Sequence, residues 1–359
     1  MKEISYRHFS LNTHLNKLKL DKPSLCHFEL TFRCNFKCKY CYVACRDNQG
    51  VARRELSTKQ VKLLLDKVYE AGALWLCFTG GDPLIRKDFL EIYDYAKSKG
   101  FIISILTNAS LFDEDKIAHF KKSPPFALEI TLNSIRRDTF ERISGVKGSF
   151  SRVMRAIKLL SENKIDFSLK AVVIRDNASR LLEVEKFSQS LGVKFMPSLH
   201  IFPRIDGDKT PCSLRLSPQE VMELDKKINF GLKIPESCFG DRKLIDDSPE
   251  PTHIFPCGGG GRDQICINPY GEMFFCLSLR EIHRDALKRS FESCFKEFAK
   301  IRERRFQTQS RCRYCGLRQF CSNCPGKAYL ETRDMEAPAE WACELTHLSC
   351  GKTKEPASV

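Results

Sequence analysis

Apolar residues along this chain recur with two alternating periods, and the alternation predicts the architecture. CHFELT at 26–31 alternates in twos and reads as a strand. STKQVKLLLDKVYEAGA at 57–73 opens with Ser57 and Gln60 as a capping box, then places Val61, Leu64, Leu65 and Val68 on one helical face. LWLCFTGG at 74–81 is a buried strand ending in glycines, 88–100 a helix stopped by Gly100, and FIISIL at 101–106 the next strand. A helix over 112–121 precedes the strand FALEITL at 126–132, and a helix over 149–164 carries Val153, Ala156, Ile157 and Leu160 on one face. The strand DFSLKAVVI at 166–174, a helix in LLEVEKFSQSLG and the strand VKFMPSL at 193–199 complete about six strand–helix repeats. Such a series predicts an α/β fold: a parallel sheet with helices outside and polar motifs gathered at the strands' carboxyl ends.

The pattern also divides the chain. Residues 1–25 form an N-terminal extension and 26–200 the strand–helix core. Turn formers dominate 201–252, which reads as a bridge, and 253–350 is cysteine-rich with little periodicity, followed by a tail at 351–359. A segment like 253–350 depends on metal clusters more than on a large apolar core.

Composition narrows the class. No run approaches the ~20 apolar residues that a membrane span needs. The first residues lack a signal-peptide core, so the expected location is the cytoplasm. In a reducing compartment, 18 cysteines point to metal or iron–sulfur ligation rather than disulfides. The formal charge of +14 suits an acidic partner, but Lys and Arg are scattered. The dense run RERRF at 302–306 reads as an exposed helix face rather than a nucleic-acid arm.

The chemistry is concentrated after the first strand. Cys34-Asn-Phe-Lys-Cys38-Lys-Tyr-Cys41 offers three thiols where a four-iron cluster has four corners, leaving one iron open to an amino acid's amine and carboxylate. A zinc knuckle with Cys45 as fourth ligand is the alternative. Tyr40 precedes the last cysteine, and Gly80-Gly81-Asp82-Pro83 follows the second strand. Together these resemble the radical S-adenosylmethionine superfamily.

That resemblance implies a partial (β/α)6 barrel of parallel strands binding one 4Fe-4S cluster and S-adenosylmethionine. It also implies reductive cleavage of the cofactor to a 5′-deoxyadenosyl radical, which takes hydrogen from a substrate. Gly80, Gly81, Asp82 and Pro83 would correspond to the turn that binds the methionine amino group, with Asp82 in place of the usual Glu. Thr107 and Asn108 would match a Thr-Asn pair after the third strand. Thr131, Asn133 and Ser134 would bond the ribose or the carboxylate, and Arg142 would contact the carboxylate. No acid–base residue is assigned. A flavodoxin or ferredoxin would donate the electron.

A second cysteine set runs Cys257, Cys276, Cys312-x2-Cys315-x5-Cys321-x2-Cys324 and Cys343. It resembles the SPASM extension of peptide-modifying members, which binds one or two auxiliary iron–sulfur clusters. By that likeness Cys312, Cys315, Cys321 and Cys343 would hold one cluster, and Cys257, Cys276 and Cys324 part of another. The Cys321–Cys324 gap is one residue shorter than usual, and Cys266 is the nearest candidate for the missing ligand. Zinc is again the alternative for the paired cysteines.

The expected function is therefore modification of a ribosomally synthesised peptide. Too few residues precede Cys34 for the leader-binding domain some maturases carry, so leader recognition, if needed, would come from a separate leader-binding protein or from the catalytic domains. Sulfatase-activating relatives carry an acidic residue after the equivalent of Cys276, where this chain has Leu277. Two alternatives stand beside the peptide reading: the same enzyme type acting on a tetrapyrrole or other cofactor precursor, and a zinc-containing nucleic-acid-binding protein.

Overall fold

The computed structural model describes residues 5–20, 22–43, 54–232, 253–255 and 264–351. Strands β1 (Leu25–Thr31), β2 (Trp75–Gly80), β3 (Ile102–Thr107), β4 (Ala127–Thr131), β5 (Ser168–Val172) and β6 (Lys194–Ser198) pair in sequential order, all parallel. Between and around them run α1 (Tyr6–Lys19), α2 (Thr58–Glu70), α3 (Phe89–Ser98), α4 (Glu114–Lys122), α5 (Arg137–Ser144), α6 (Ser149–Glu162), α7 (Leu181–Ser190) and α8 (Pro218–Ile228). The six predicted strands are thus observed, with the predicted helices around them and α5 in addition.

Local signals account for the helices. In α2 the Ser57 hydroxyl accepts from the Gln60 amide while the Gln60 side chain accepts from the Ser57 N–H at 2.9 Å. Such a cap contributes about 1 kcal/mol. Val61, Leu64, Leu65 and Val68 have no exposed surface, and each contributes about 1.5–3 kcal/mol by burial against the sheet. α5 ends on Gly145 at φ +67°, where a Cβ would stand 2.8 Å from the Lys37 carbonyl oxygen. That glycine lets the cysteine loop dock on the helix end, with the Lys37 and Lys39 N–H groups donating to Ser144 and Ile143.

Two features depart from the sequence reading. The extension contains α1, which the apolar pattern does not announce. It is fixed at the amino-terminal ends of the strands by a hydrogen bond from the Trp75 indole to Tyr6 (2.9 Å) and by His14 stacking on Trp75 at 4.6 Å. The cysteine-rich segment is also less independent than expected. Its strands β7 (Gln264–Ile267), β8 (Glu272–Cys276) and β9 (Leu279–Asp285) extend the core sheet, giving the order β6-β5-β4-β3-β2-β1-β7-β8-β9. β7 is parallel to β1, while β8 and β9 are antiparallel. Helices α9 (Phe291–Arg302), α10 (Arg311–Tyr314), α11 (Pro325–Thr332) and α12 (Glu340–Ser349) follow. The Lys67 ammonium of α2 clasps the end of β9, donating to the carbonyls of Ala286, Leu287 and Arg289 at 2.7–3.1 Å. Among the described residues no helix is long and apolar enough to cross a membrane.

Candidate active site

A cavity of ≈ 390 Å³ opens at the carboxyl ends of the parallel strands. That size falls in the range of small-molecule sites. Cys34, Cys38, Cys41 and Tyr40 line one part of it, with Gly80, Gly81, Thr107, Asn108, Thr131 and Asn133 beside them. Four separate strand ends therefore contribute, as parallel topology requires.

The thiol loop makes hydrogen bonds of its own, from the Phe36 N–H to the Cys34 sulfur at 3.4 Å and from the Cys41 N–H to the Cys38 carbonyl at 3.1 Å, and neighbouring strands add more. The Asn108 amide donates to Asn35 Oδ1 at 2.9 Å and approaches the Cys34 sulfur at 3.7 Å. The Asn108 carbonyl oxygen accepts from the Ser110 N–H and hydroxyl at 2.9 and 2.6 Å. Tyr40 accepts from the Asn133 amide at 2.8 Å, and Asn133 Oδ1 accepts from the Val172 N–H at 2.9 Å. Burial pushes the Cys38 thiol well up, and Cys41 and Cys34 push it further, while a hydrogen bond with Tyr40 opposes the shift. Burial likewise raises the Tyr40 phenol, with Cys38 adding to the effect. Cys41 and Cys34 thus both raise the proton affinity of Cys38, and a polycation beside them would relieve it, which suits a cluster held by thiolates.

Gly80 and Gly81 line the cavity and also serve a packing purpose. A Cβ on Gly80 would lie 2.2 Å from the Thr31 carbonyl oxygen, and one on Gly81 2.0 Å from that of Arg33. The Gly81 and Asp82 N–H groups donate to those same carbonyls at 2.7 and 2.9 Å. The glycines thus let β2 press against the start of the cysteine loop, while their open faces line the cavity.

Four of the expected contact residues, Asp82, Pro83, Ser134 and Arg142, lie outside the cavity lining. Asp82 is fully buried and outside the cavity lining: its Oδ2 accepts from the Thr107 hydroxyl and the Asn108 N–H, both at 2.8 Å, and its Oδ1 from the Leu84 N–H at 3.0 Å. Its carboxyl links the ends of β2 and β3 and is pushed up to about 6 by burial. Pro83 is buried as the first residue of a short 3-10 turn, also away from the cavity. The Ser134 hydroxyl accepts from the Arg136 N–H at 3.0 Å, so it stabilises the turn into α5. Arg142 points to the surface and pairs with Asp176 at 3.3 Å.

The lining also includes residues the sequence did not mark. Glu129 and Lys170 form an ion pair of 3.3 Å on the inner face of β4 and β5, and His200 and Phe202 continue that wall. Leu277 and Ser278, from the β8–β9 turn, and Leu330, from α11, close the cavity from the cysteine-rich side. Only strand register could have revealed Glu129 and Lys170, because inward and outward positions differ by a single residue.

The second cysteine set gathers in part. Burial raises the Cys312 thiol, with Cys321 and Cys315 adding to it, and the Asn323 amide approaches the Cys312 sulfur at 3.9 Å. Arg311 feels both Cys343 and Cys312. Cys324 caps α11, and Lys327 one turn later feels Cys324 and Cys321. Cys266 is buried on β7 beside Cys276. Cys257, Cys45 and Cys238 lie outside the described residues. Among the described residues no group of three or more His, Cys, Asp or Glu side chains is drawn tightly enough to grip a single metal ion.

Residues 28–187 match the family described as the radical SAM superfamily. The chain carries a radical SAM domain. Its likeness extends beyond those residues: the AdoMet-dependent heme synthase of Methanosarcina barkeri is 22% identical over 330 residues, 87% of this chain and 94% of that protein. The antilisterial bacteriocin subtilosin biosynthesis protein AlbA of Bacillus subtilis is 26% identical over 308 residues, 83% of this chain and 66% of AlbA. Among solved structures, Streptococcus suis SuiB bound to precursor peptide SuiA shares the fold with a TM-score of 0.70 at 16% identity, covering 96% of this chain and 82% of that one. As a radical SAM enzyme the chain is expected to take S-adenosylmethionine and a four-iron cluster, and the thiol-lined end of the cavity fits that demand.

Proposed function

We propose that this radical SAM enzyme modifies a ribosomally synthesised peptide. The observation that carries the reading is the cavity itself: three thiols at one end, and closure by Leu277, Ser278 and Leu330 from the cysteine-rich segment at the other. Cys34, Cys38 and Cys41 would hold the cluster, and the amino-acid part of S-adenosylmethionine would take the corner they leave free. When bound, these groups supply one-electron cleavage of a carbon–sulfur bond. The protein contributes placement and exclusion of water. Tyr40 and Asn133 fix the loop against β5, Asn108 steadies Cys34, and Gly80 and Gly81 admit the cofactor along the strand ends.

Cys312, Cys315, Cys321 and Cys343 would hold one auxiliary cluster, and Cys257, Cys276 and Cys324 part of a second. A flavodoxin or ferredoxin would reduce them, and a separate leader-binding protein would present the peptide, all in the cytoplasm. AlbA and the SuiB–SuiA complex support a peptide substrate by their names. The apolar Leu277 lining the cavity removes the acidic residue that a sulfatase-activating enzyme would place there.

The test is anaerobic incubation of the reconstituted, reduced enzyme with S-adenosylmethionine and the peptide encoded beside its gene. The expected result is 5′-deoxyadenosine and a mass change in the peptide, both lost on replacing Cys34, Cys38 and Cys41 by alanine. A mass change that survives those replacements contradicts the proposal. One observation favours a second reading: the heme synthase is matched over 94% of its length, which supports a tetrapyrrole substrate for the same cavity.

A further inference from the structure

The charged wall of the cavity has no part in holding the cluster. Glu129 and Lys170 lie on β4 and β5, three and four strands from the β1 edge that launches the thiol loop. Lys170 is level with Thr131 in the pairing register, and Glu129 is one inward step deeper. The Lys170 ammonium has three donors but, among the described residues, one carboxylate partner, and 37% of its side chain stays exposed although it points into the barrel. His200 lines the same wall, its ring parallel to that of Phe202 at 6.1 Å. A second ammonium, Lys327, lies 5.4 Å over the Phe202 ring with one donor given to the Ser322 carbonyl at 2.6 Å.

Lys170 is the one Lys or Arg among the described residues that line this cavity, and its single contact with Glu129 leaves ammonium donors for a second acceptor. Burial, with Lys327 and Lys170 adding to it, pushes the His200 imidazole down to about 4, so His200 offers a hydrogen-bonding nitrogen and no third charge.

We infer that Lys170, flanked by His200, is the subsite for a carboxylate carried by the substrate. This rests on the reading above that the cavity admits a substrate beside the nucleotide, and it names the substrate's chemistry: an acidic side chain of a peptide, or a carboxylate of a tetrapyrrole. The carboxylate of S-adenosylmethionine belongs at the thiol end, where the open cluster corner would be. Glu129 is then an internal competitor that occupies Lys170 until substrate arrives.

The test is binding to the anaerobically reconstituted full-length enzyme in the presence of S-adenosylmethionine, so it needs no turnover. The probes are capped Ala-Glu-Ala against capped Ala-Gln-Ala, and coproporphyrin III against its tetramethyl ester. The wild type should favour the acid over its neutral analogue by roughly tenfold in at least one pair, the value of one charge-assisted hydrogen bond. Lys170→Met should bring that ratio to about one, and Glu129→Gln should raise it by a few-fold because the competing carboxylate is gone. A role confined to packing would lower affinity in both variants, so the opposite signs are the diagnostic. A Lys170-dependent preference in the peptide pair assigns the carboxylate to a peptide, and one in the porphyrin pair assigns it to a tetrapyrrole. Equal binding of acid and neutral forms by the wild type overturns the inference. So does an unchanged ratio in Lys170→Met accompanied by weakened S-adenosylmethionine binding. Failure of the peptide to gain mass leaves these ratios untouched, so the two readings fail separately.

Discussion

Glu29 and Arg280, 251 residues apart, form a two-bond ion pair that fastens the cysteine-rich hairpin to the barrel. Arg280 Nη1 donates to Oε2 at 2.8 Å and Nη2 to Oε1 at 2.7 Å, and Glu29 has no exposed surface. The guanidinium stacks near Phe32, Phe274 and Tyr42, 5.2–5.9 Å from their ring centres. Tyr42 adds a hydrogen bond of 3.3 Å to the same carboxylate. Burial opposes the charged guanidinium, but Glu29 outweighs it and Arg280 is held above its ordinary range.

Removing one partner should therefore be costly. Arg280→Ala strands a buried carboxylate and is expected to lower stability by about 3–5 kcal/mol. Arg280→Lys should recover only part of this, because an ammonium cannot reproduce the two parallel bonds or the stacking. The combined Glu29→Gln, Arg280→Met variant should lose less than Arg280→Ala alone. Anaerobic denaturant unfolding of the three variants checks the order.

The glycine pair makes a sharper steric prediction. Gly81→Ala places a methyl group where the Arg33 carbonyl oxygen stands 2.0 Å away, and both atoms belong to backbone that cannot rotate aside. The cysteine loop must shift, so the variant should lose most of its reconstituted core cluster and at least ~2 kcal/mol of stability. Gly192→Ala is the comparison: it has a positive φ, but its Cβ would meet nothing within 4 Å, so iron uptake should persist. Iron content after anaerobic reconstitution separates the two.

Much of this arrangement was legible before any coordinates. The alternation of apolar periods foretold β1 to β6 and the helices between them apart from α5, because each of those elements has a buried face of its own period. The capping box at Ser57 and the buried face of α2 were equally local. What stayed hidden was non-local. The pairing of β7 with β1 depends on a four-residue strand, too short for periodicity to signal. The Glu29–Arg280 pair leaves no trace in either segment. Asp82 was expected at the cofactor through the family resemblance, and its three hydrogen bonds make it the strut between β2 and β3, a role no local pattern announces.

That strut carries a pH dependence. Asp82 is pushed up to about 6 in the fold, above the ordinary carboxylate value near 4. The folded state then binds more protons than the unfolded chain between those values, so the group's contribution is full below about pH 4 and fades as pH rises through about 6. Paired carboxylates such as Asp176 and Glu183 are lowered and act in the opposite direction. The difference in unfolding free energy between wild type and Asp82→Asn, followed from pH 4 to 7, should therefore decline with pH. A flat difference contradicts the account.

Asn108 offers a test of the loop's electrostatics. Its amide is the side-chain donor nearest the Cys34 sulfur, at 3.7 Å. Asn108→Leu removes a dipole that favours the more negative, reduced cluster, so the midpoint potential of the core cluster should fall. Redox titration followed by electron paramagnetic resonance measures the shift, and an unchanged potential removes that role from Asn108.

The central claim is that Cys34, Cys38 and Cys41 hold a cluster with one corner open to S-adenosylmethionine. The most direct measurement is the electron paramagnetic resonance spectrum of the anaerobically reduced protein, recorded with and without that nucleotide. A core-cluster signal should shift when S-adenosylmethionine is added, and the shift should vanish when the three cysteines are replaced by alanine. A spectrum indifferent to the nucleotide, together with one zinc ion bound by that loop, would contradict the account.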